Sequence, residues 1–337
     1  MRIVLDGMGS DNHPEPEVLA AVQAARQFGD EVILVGHEDK LNPLLKKHNA
    51  SNVRVVHAPE TLDMTDKPAR SARGKAQNSM AVGMQMLKDG EVDAFVTAGN
   101  TGGAMTVGLF TLGRIKGVKR PALCALFPVK GGKTVLLDIG ANAECRPEFL
   151  LQFAKMGSAY AETVLGKNNP RVGLISNGEE AGKGNDLVKE SYPLLETSGL
   201  NFIGNVEGKE VFAGEADVVV TDGFTGNVIL KVSEALAKYM TDSIRQGMMS
   251  SLRTKIGGAL ARPAFAGIRK DLDPAEIGAI PLLGLDGLVM VGHGRSNARA
   301  LVSAIGQARQ AVEVGLMDAV RQSIGTQMEK TKQKENA

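Results

Sequence analysis

The residues from Leu174 to Asn185 form a segment suited to binding an anion. An apolar, strand-like run leads there into three glycines, two carboxylates and a single lysine, Lys183. Glycines let the backbone turn tightly and bring N–H groups close to a ligand, and Lys183 adds a positive charge at the expected start of a helix. We predict that Lys183 and the backbone N–H groups of Gly182 and Gly184 bind phosphate.

Three further loops of this kind follow strand-like runs: Thr97–Gly103, Asp138–Asn142 and Thr221–Asn227. Each of them combines glycine with asparagine or aspartate. Open α/β sheets bind ligands at the carboxyl ends of their strands, so four such loops together predict a site.

The standard nucleotide motifs are absent. Phe127 occupies the position of the first glycine in a Walker A pattern, and no G-x-G-x-x-G follows the first strand. No histidine pair has metal-ligand spacing, so we expect neither a metal nor another cofactor. His293 lies in a glycine-containing loop, where a histidine is either catalytic or structural. We expect Asp11 or Asn12 to cap the first helix and Ser296 to cap a helix near the C-terminus.

The composition limits the class of protein. The chain has 337 residues, 43% of them hydrophobic, which suffices for one large α/β domain or two smaller ones. A net charge of +1 predicts no nucleic-acid partner. Two cysteines fit a reducing cytoplasm, and we expect the Cys145 thiol to serve packing. The chain starts in a strand and contains no apolar run of ~20 residues, so we expect neither a signal peptide nor a transmembrane helix.

Short strand-like runs alternate with helical patterns along most of the chain. This alternation predicts a mostly parallel sheet covered by helices on both faces. The expected strands lie at 3–5, 32–35, 53–57, 94–97, 122–127, 134–138, 172–175 and 218–221, and the expected helices at 16–28, 39–47, 75–87, 104–112, 147–165, 184–195 and 227–248.

One segment, residues 243–270, contains no acidic residue. Its basic residues are Arg245, Arg253, Lys255, Arg262, Arg269 and Lys270, and its apolar residues Met248, Leu252, Ile256 and Leu260 recur at every fourth position. This spacing predicts an apolar helical stripe flanked by cations, bent near Gly257, Gly258 and Pro263. Such a stripe either docks on an anionic membrane surface or packs on the core or at a dimer interface.

Taken in order, these loops resemble the bacterial phosphate acyltransferase family called PlsX. The match covers nearly the whole chain, and the ordered set is far more specific than any one loop. The matching segments are Asp6–Asp11, Ala98–Gly102, Lys119–Ala122, Asp138–Asn142, Gly178–Asn185, Asn205–Gly208, Thr221–Asn227, Leu282–Gly287 and His293–Gly294. The departures from the family pattern are Ser10, where a second glycine is expected, and Glu144, where aspartate is usual.

The resemblance implies an α/β/α sandwich similar to phosphotransacetylases and isocitrate-type dehydrogenases. It implies a single catalytic domain over residues 1–337, from which an amphipathic helical hairpin projects at about 235–273. The implied reaction converts long-chain acyl-(acyl carrier protein) and inorganic phosphate to acyl phosphate, without a cofactor, for phospholipid synthesis. The resemblance also implies a homodimer on the inner face of the cell membrane, where a membrane glycerol-phosphate acyltransferase takes the product.

We assign roles in that reaction as hypotheses. Arg120 joins Lys183, Gly182 and Gly184 in binding phosphate, and Lys183 or His293 protonates the leaving thiolate. The side-chain amide of Asn100, Asn142 or Asn227 donates to the oxyanion of the tetrahedral intermediate, although each asparagine suits a turn or cap equally well. The substrate pocket is assigned to Asp6, Gly7, Asn142, Glu179, Asp222 and Gly223, and membrane docking to Met248, Leu252, Ile256 and Leu260.

Two other functions remain open. A phosphate acetyl- or butyryltransferase that uses coenzyme A shares the chemistry, and a membrane-docked scaffold would retain the pocket without turnover. The basic amphipathic segment favours a long acyl product and an acidic carrier protein. The number of polar loops favours an enzyme over a scaffold.

Overall fold

The computed structural model describes residues 1–50, 52–67, 74–271 and 273–335. An 11-stranded sheet forms its centre. The strands are β1 (Arg2–Asp6), β2 (Glu31–Gly36), β3 (Val53–His57), β4 (Ala94–Thr97), β5 (Ala122–Val129), β6 (Gly132–Leu137), β7 (Arg171–Ile175), β8 (Asn201–Val206), β9 (Val218–Val220), β10 (Ala279–Leu283) and β11 (Val289–Gly292).

Twelve helices lie in the described ranges. They are α1 (Glu15–Phe28), α2 (Glu38–Lys47), α3 (Ser79–Lys88), α4 (Thr101–Thr111), α5 (Pro147–Thr163), α6 (Asp186–Glu196), α7 (Gly208–Ala213), α8 (Gly223–Met249), α9 (Leu252–Asp271), α10 (Pro274–Ile277), α11 (Ala298–Glu313) and α12 (Leu316–Glu335).

The sheet consists of two parallel halves that run in opposite directions. Its strand order is β3-β2-β1-β4-β11-β10-β5-β6-β9-β7-β8. The pairs among β3, β2, β1, β4 and β11 are parallel, as are those among β6, β9, β7 and β8. Between the halves, β10 pairs antiparallel with both β11 and β5, and β5 pairs antiparallel with β6. These three reversals make β1, β4 and β11 antiparallel to β6, β7 and β9.

Alternating side chains of the strands fill two cores, one on each face of the sheet. Ile3 and Leu5 of β1 face the core that includes buried residues of α1, α5, α11 and α12. Val4 faces the other core, which α3 and α4 cover. Because side chains alternate along a strand, both faces of this buried sheet are apolar. The predicted sandwich of mostly parallel sheet between helical layers is confirmed.

The helix caps differ from the sequence expectation. Pro14 precedes α1 without a side-chain cap, so neither Asp11 nor Asn12 has that role. The Asn297 side chain, rather than Ser296, accepts the N–H of Ala300 and caps α11. The Ser296 side chain is buried one residue before this cap.

Helix α1 contains a buried carboxyl, Glu17. Its Oε1 accepts the N–H of Ser10 at 2.8 Å. Its Oε2 and the Ser10 hydroxyl are buried and, in the described part of the chain, lack a partner in good hydrogen-bond geometry. Burial raises the pKa of Glu17, although the Ser10 side chain still lowers the pKa of this carboxyl in part. The folded protein therefore holds a carboxyl whose charge is poorly compensated.

We expect Glu17→Gln to raise the free energy of unfolding at neutral pH by about 1 kcal/mol. The amide keeps the oxygen that accepts from Ser10 and brings a donor in place of the second oxygen. A raised pKa in the folded state means that the carboxyl's contribution to stability is full below its unfolded pKa and is lost as the pH rises through the folded value. The gain should therefore be large near about pH 8 and vanish near about pH 4. Denaturant titrations at both pH values measure it, and an equal gain at both would contradict the charge argument.

Candidate active site

Hydrogen bonds and close contacts sort the candidate loops into two groups. The first, the Asp6 group, joins the loops after β1, β4 and β11: Thr97 Oγ1 donates to Asp6 Oδ2 at 2.7 Å, and the Asp11 N–H donates to the Gly294 carbonyl at 2.8 Å. The second, the Lys183 group, joins the loops after β6, β7 and β9. The two groups lie at the carboxyl ends of strands that run in opposite directions.

In the Lys183 group, the loop between β7 and α6 is held by its own polar groups. The Lys183 N–H donates to the Glu180 carbonyl, and the Gly184 N–H donates to Asn177 Oδ1. The N–H that was assigned to phosphate at Gly184 is thus already engaged. The Lys183 side chain is exposed and, among the described residues, makes no ion pair. Its ammonium group is available to an anion.

The carboxylate of Glu179, on the same loop, pairs with Lys209 and not with Lys183. Lys209 lies 3.3 Å from Glu179, 3.1 Å from Glu207 and 3.6 Å from Glu210. Glu179 was assigned to the substrate pocket, but its carboxylate contacts this lysine at the protein surface. The positive charge of Lys183 is therefore not cancelled by that carboxylate.

The loop after β6 is organised by Asp138. Its two carboxylate oxygens accept the backbone N–H groups of Leu123, Gly140, Ala141 and Asn142, and also the side-chain amide of Asn142. The other amide hydrogen of Asn142 goes to the Pro121 carbonyl at 2.7 Å. Both hydrogens of the Asn142 amide are thus used in holding the loop.

The N-terminus of α8 packs tightly against this loop. A Cβ at Gly226 would overlap the Asp138 carbonyl oxygen, and a Cβ at Gly223 would lie 2.6 Å from the Asn142 carbonyl oxygen. Asp222 caps the helix, accepting from the N–H and the hydroxyl of Thr225. Only glycine allows the helix to approach so closely.

This approach places the amide of Asn227 beside Gly140. The Asn227 Nδ2 would lie 2.8 Å from a Cβ at Gly140. Within the described residues the Asn227 side chain makes no hydrogen bond, unlike Asn142. Of the asparagines predicted to donate to the oxyanion, Asn227 is therefore the one in this group whose amide is free to donate to a ligand.

Arg120 lies at the same edge of the sheet, just before β5. Its side chain is exposed. Burial raises the pKa of the nearby Cys145 thiol to about 12, and the positive charge of Arg120 acts in the opposite direction. This interaction puts Arg120 close to the loop after β6. A thiol with so high a pKa is a poor nucleophile at neutral pH.

The remaining predicted residues belong to the Asp6 group. The Asn100 side chain caps α4 through the Gly103 N–H and donates to the carbonyls of Met64 and Asp66. Burial raises the pKa of Asp6. Gly7 is buried, and its N–H donates to the Val35 carbonyl. His293 is exposed. The contacts thus join the loops that carry Asn100, Asp6, Gly7 and His293 to one another rather than to the Lys183 loop.

A cavity of about 400 Å³ opens beneath the Lys183 loop. Two hydroxyls that the sequence did not single out, those of Ser176 and Thr221, belong to its lining. Both oxygens are buried, and neither has a hydrogen-bond partner in the described part of the chain. Each residue directly follows a buried strand, which is the signal that identified the neighbouring loops. The cavity is lined by Leu150, Leu174, Ile175, Ser176, Asn177, Gly184, Asn185, Leu187, Val188, Thr221, Asp222 and Thr225.

The described residues contain no cluster of three or more histidine, cysteine, aspartate or glutamate side chains arranged to hold a metal ion. The charged groups of the Lys183 group are instead Lys183, Arg120, the carboxylates of Glu179 and Glu180, and the carboxylates of Asp138 and Asp222, which hold the loops. The two cations can bind and orient an anion.

Comparison with known proteins decides the family. The model of a family described as "Fatty acid synthesis protein" matches residues 1–319. A phosphate acyltransferase of Thermus thermophilus is 49% identical over 325 residues, which cover 96% of this chain and 98% of that protein. The chain belongs to the phosphate acyltransferase family. The phosphate acyltransferase of Syntrophotalea carbinolica is 46% identical over 325 residues, covering 96% of this chain and 94% of the relative.

Solved structures with lower identity share the fold. The EutD phosphotransacetylase from Staphylococcus aureus superposes with a TM-score of 0.61 at 19% identity, covering 93% of this chain and 94% of that one. A phosphotransacetylase from Streptococcus pyogenes gives a TM-score of 0.60 at 17% identity, covering 96% and 94%. The predicted similarity of the fold to phosphotransacetylases is thus confirmed.

Proposed function

We propose that this phosphate acyltransferase transfers a long-chain acyl group from acyl carrier protein to inorganic phosphate. The family supports the acceptor and the type of reaction. The observation that carries the proposal is the unpaired ammonium group of Lys183, among the described residues, on a loop directly above a largely apolar cavity. Such an arrangement brings an anion and an apolar chain to one place.

The reaction needs a positioned nucleophile more than a strong base. Phosphate, with a second pKa near ~6, is largely dianionic at neutral pH. One of its oxygens forms a bond to the thioester carbon, the carbon–sulfur bond breaks, and the thiolate takes a proton from Lys183 or from water. Lys183 and Arg120 hold the phosphate, and the free amide of Asn227 donates to the oxyanion of the intermediate.

The test is direct. Purified protein is incubated with long-chain acyl-(acyl carrier protein), with and without phosphate, and acyl phosphate is trapped with hydroxylamine. The matching acyl-coenzyme A runs in parallel. We expect phosphate-dependent product, formed faster from the carrier protein. A preference for short-chain coenzyme A thioesters would instead support the phosphotransacetylase alternative, and no product from folded protein would support the scaffold.

The hairpin formed by α8 and α9 supports a location at a membrane surface. None of the residues from Val228 to Phe265 is buried. The exposed fractions are 76% for Leu252, 57% for Ile256 and 79% for Leu260, so these residues do not pack on this chain's own core. Arg245, Arg253, Lys255 and Arg262 are exposed as well, while the side chains of Arg269 and Lys270 lie outside the described residues.

The hairpin turns at Ser250 and Ser251, and Gly257, Gly258 and Pro263 lie within the single helix α9. The Ser251 hydroxyl accepts the Thr254 N–H while the Thr254 hydroxyl accepts the Ser251 N–H, and these bonds start a new helix. Met248 therefore belongs to α8 and packs against Gly258, whereas the other three apolar residues of the stripe lie on α9. The structure contains no helix, in its described ranges, that could span a bilayer. Peripheral docking at the inner face of the membrane uses the α9 face.

Replacing Leu252 and Ile256 together with aspartate should release the protein from vesicles that contain anionic lipid. The change removes apolar area from the docking face and adds two negative charges there, which weakens both contributions to binding. Co-sedimentation with vesicles measures it, and soluble acyl transfer should persist. Replacing Lys238 and Asp242, an ion pair on the exposed face of α8, with alanine is the control. Vesicle binding that survives the double aspartate change would assign the α9 face to a protein contact.

A second exposed apolar stripe supports the homodimer. Phe224, Val228, Val232, Leu236 and Met240 recur at every fourth residue of α8 and are all more than two-fifths exposed. A stripe of this length on a long helix fits the same stripe of a second copy, which buries both. Sedimentation equilibrium over a range of concentrations distinguishes monomer from dimer.

A further inference from the structure

We propose that the cavity beneath the Lys183 loop binds the acyl chain, and that the hydroxyls of Ser176 and Thr221 make the polar contacts to the thioester carbonyl. The proposal rests on the proposed function, because it assigns a place to the donor of that reaction. It also separates the acyl site from the phosphate site, which the sequence did not do.

The walls of the cavity suit a hydrocarbon chain. Leu150 and Leu174 are fully buried, and Ile175 and Val188 are nearly so, while Leu187 is partly buried. Its volume of about 400 Å³ lies within the usual range for small-molecule sites. Apolar walls of this kind gain by burying methylene groups and offer nothing to a hydrated anion.

The charges of the lining argue against phosphate inside the cavity. Asp222 contributes the one charged side chain among the lining residues, and it is negative. A phosphate dianion placed there would lose its hydration and meet a carboxylate without a cation. A neutral thioester carbonyl avoids both costs.

The two hydroxyls need a partner. Leaving a buried hydroxyl without a hydrogen bond costs free energy, so folded proteins rarely do so without a reason. Thr221 is 1% exposed, and the Ser176 oxygen lies 3.2 Å from the position of a Cβ at Gly184, which also lines the cavity. Because both oxygens are shielded from the cavity, binding of the thioester requires a change of side-chain rotamer that turns each hydroxyl toward the carbonyl oxygen.

The position of the cavity agrees with the direction of attack. Asn177 and Gly184 belong both to its lining and to the loop that carries Lys183. A carbonyl at the polar end of the cavity therefore lies next to an anion held by Lys183. The acyl chain extends away from the loop, between β7, β9 and the first turn of α6.

Tryptophan fluorescence tests occupancy of the cavity directly, because the chain contains no tryptophan. Leu187→Trp places a single reporter in the cavity wall, and Leu194→Trp places one on the same helix outside the lining. The probe is stearoyl-coenzyme A with bromine on its chain, since bromine quenches a tryptophan that it touches. We expect saturable quenching of Leu187→Trp alone, reversed by excess unbrominated thioester. Equal quenching of both variants, or none in a folded Leu187→Trp protein, would overturn the proposal.

The role of the Ser176 and Thr221 hydroxyls is tested by substitutions that remove the hydroxyl and change the side-chain volume little. Thr221→Val and Ser176→Ala should raise the KM for acyl-(acyl carrier protein) by roughly fivefold or more, leave the KM for phosphate unchanged and leave the thermal stability equal or higher. Thr134→Val and Ser191→Ala are the matched controls, because those buried hydroxyls already donate to the carbonyls of Ala216 and Leu187. The controls should lose stability without a change in acyl KM.

The opposite pattern would overturn the assignment of the hydroxyls. If Thr221→Val and Ser176→Ala lower stability and spare the acyl KM, the hydroxyls are structural; if they raise the phosphate KM instead, the cavity is the phosphate site. Failure of the proposed function has a different signature. Bromine quenching without any acyl phosphate from the wild-type protein would support the acyl cavity and refute the reaction.

Discussion

Lys183→Ala is expected to raise the KM for phosphate by roughly 10- to 100-fold, the range expected for losing a hydrogen bond to a charged group. The Lys183 ammonium has no ion-pair partner among the described residues, and the neighbouring Glu179 pairs with Lys209 instead. The loop itself should keep its shape, because its backbone is held by Glu180, Asn177 and the side chain of Asn205. Initial rates over a range of phosphate concentrations measure the effect.

The turnover at saturating phosphate separates the two roles of Lys183. If Lys183 only binds phosphate, its replacement raises the KM for phosphate and leaves kcat unchanged. If it also protonates the thiolate, the replacement lowers kcat as well. Lys183→Arg keeps the positive charge, so its KM for phosphate should lie close to that of the wild-type protein. Lys189→Ala removes an equally exposed lysine from α6 and serves as the control. If the phosphate kinetics of Lys183→Ala match those of Lys189→Ala, Lys183 has no part in the reaction.

The sequence predicted the elements whose signals are local. Strands such as Val32–Val35 are continuous apolar runs between helical patterns, so eight of the eleven strands, β1 to β7 and β9, were expected nearly to the residue. Three strands escaped prediction: β11 is a short apolar run that was overlooked, whereas β8 and β10 lack this signal. β8 contains Asn201, Gly204 and Asn205, and β10 contains Pro281, which normally argues against a strand inside a sheet.

The arrangement of the site depended on contacts that no local pattern reveals. Glycine with asparagine or aspartate after a strand correctly marked the loops, because tight turns at strand ends need those residues. Which amide remains free is decided by distant partners. The Asn100 amide donates to the carbonyls of Met64 and Asp66, more than 30 residues away. The Asn142 amide donates to the Pro121 carbonyl and to the Asp138 carboxylate. The antiparallel strands β5 and β10 likewise decide which loops share an edge.

Asp138→Asn should both destabilise the fold and lower turnover, the largest combined effect that we expect from a single substitution. The carboxylate accepts five hydrogen bonds, four of them from backbone N–H groups. Asparagine has nearly the same volume but replaces one acceptor by a donor, so buried N–H groups lose their partner and face another N–H group. At about 1–3 kcal/mol for each unsatisfied group, the free energy of unfolding should fall by roughly 3 kcal/mol or more.

The loss of activity should exceed what partial unfolding explains. Asp138 fixes the loop that contains Gly140 and Asn142, and that loop packs against the N-terminus of α8, where Asn227 lies. A displacement there moves the amide that is proposed to stabilise the oxyanion, so kcat should fall by about 10-fold or more at a temperature well below unfolding. Steady-state rates at that temperature, beside a thermal unfolding curve, separate the two effects.

Asp217→Asn provides the matched control. Burial alone would raise the pKa of Asp217, but Arg171 and Lys167 outweigh it and lower the value to about 2. That stabilisation is present above the unfolded pKa of about 4 and is lost as the pH falls toward 2, so at neutral pH the control variant should also lose stability. Asp217 precedes β9, at the end of the strand opposite Thr221, so its kcat should not change. Equal kcat losses in the two variants would show that Asp138 acts through general stability and not by positioning the site.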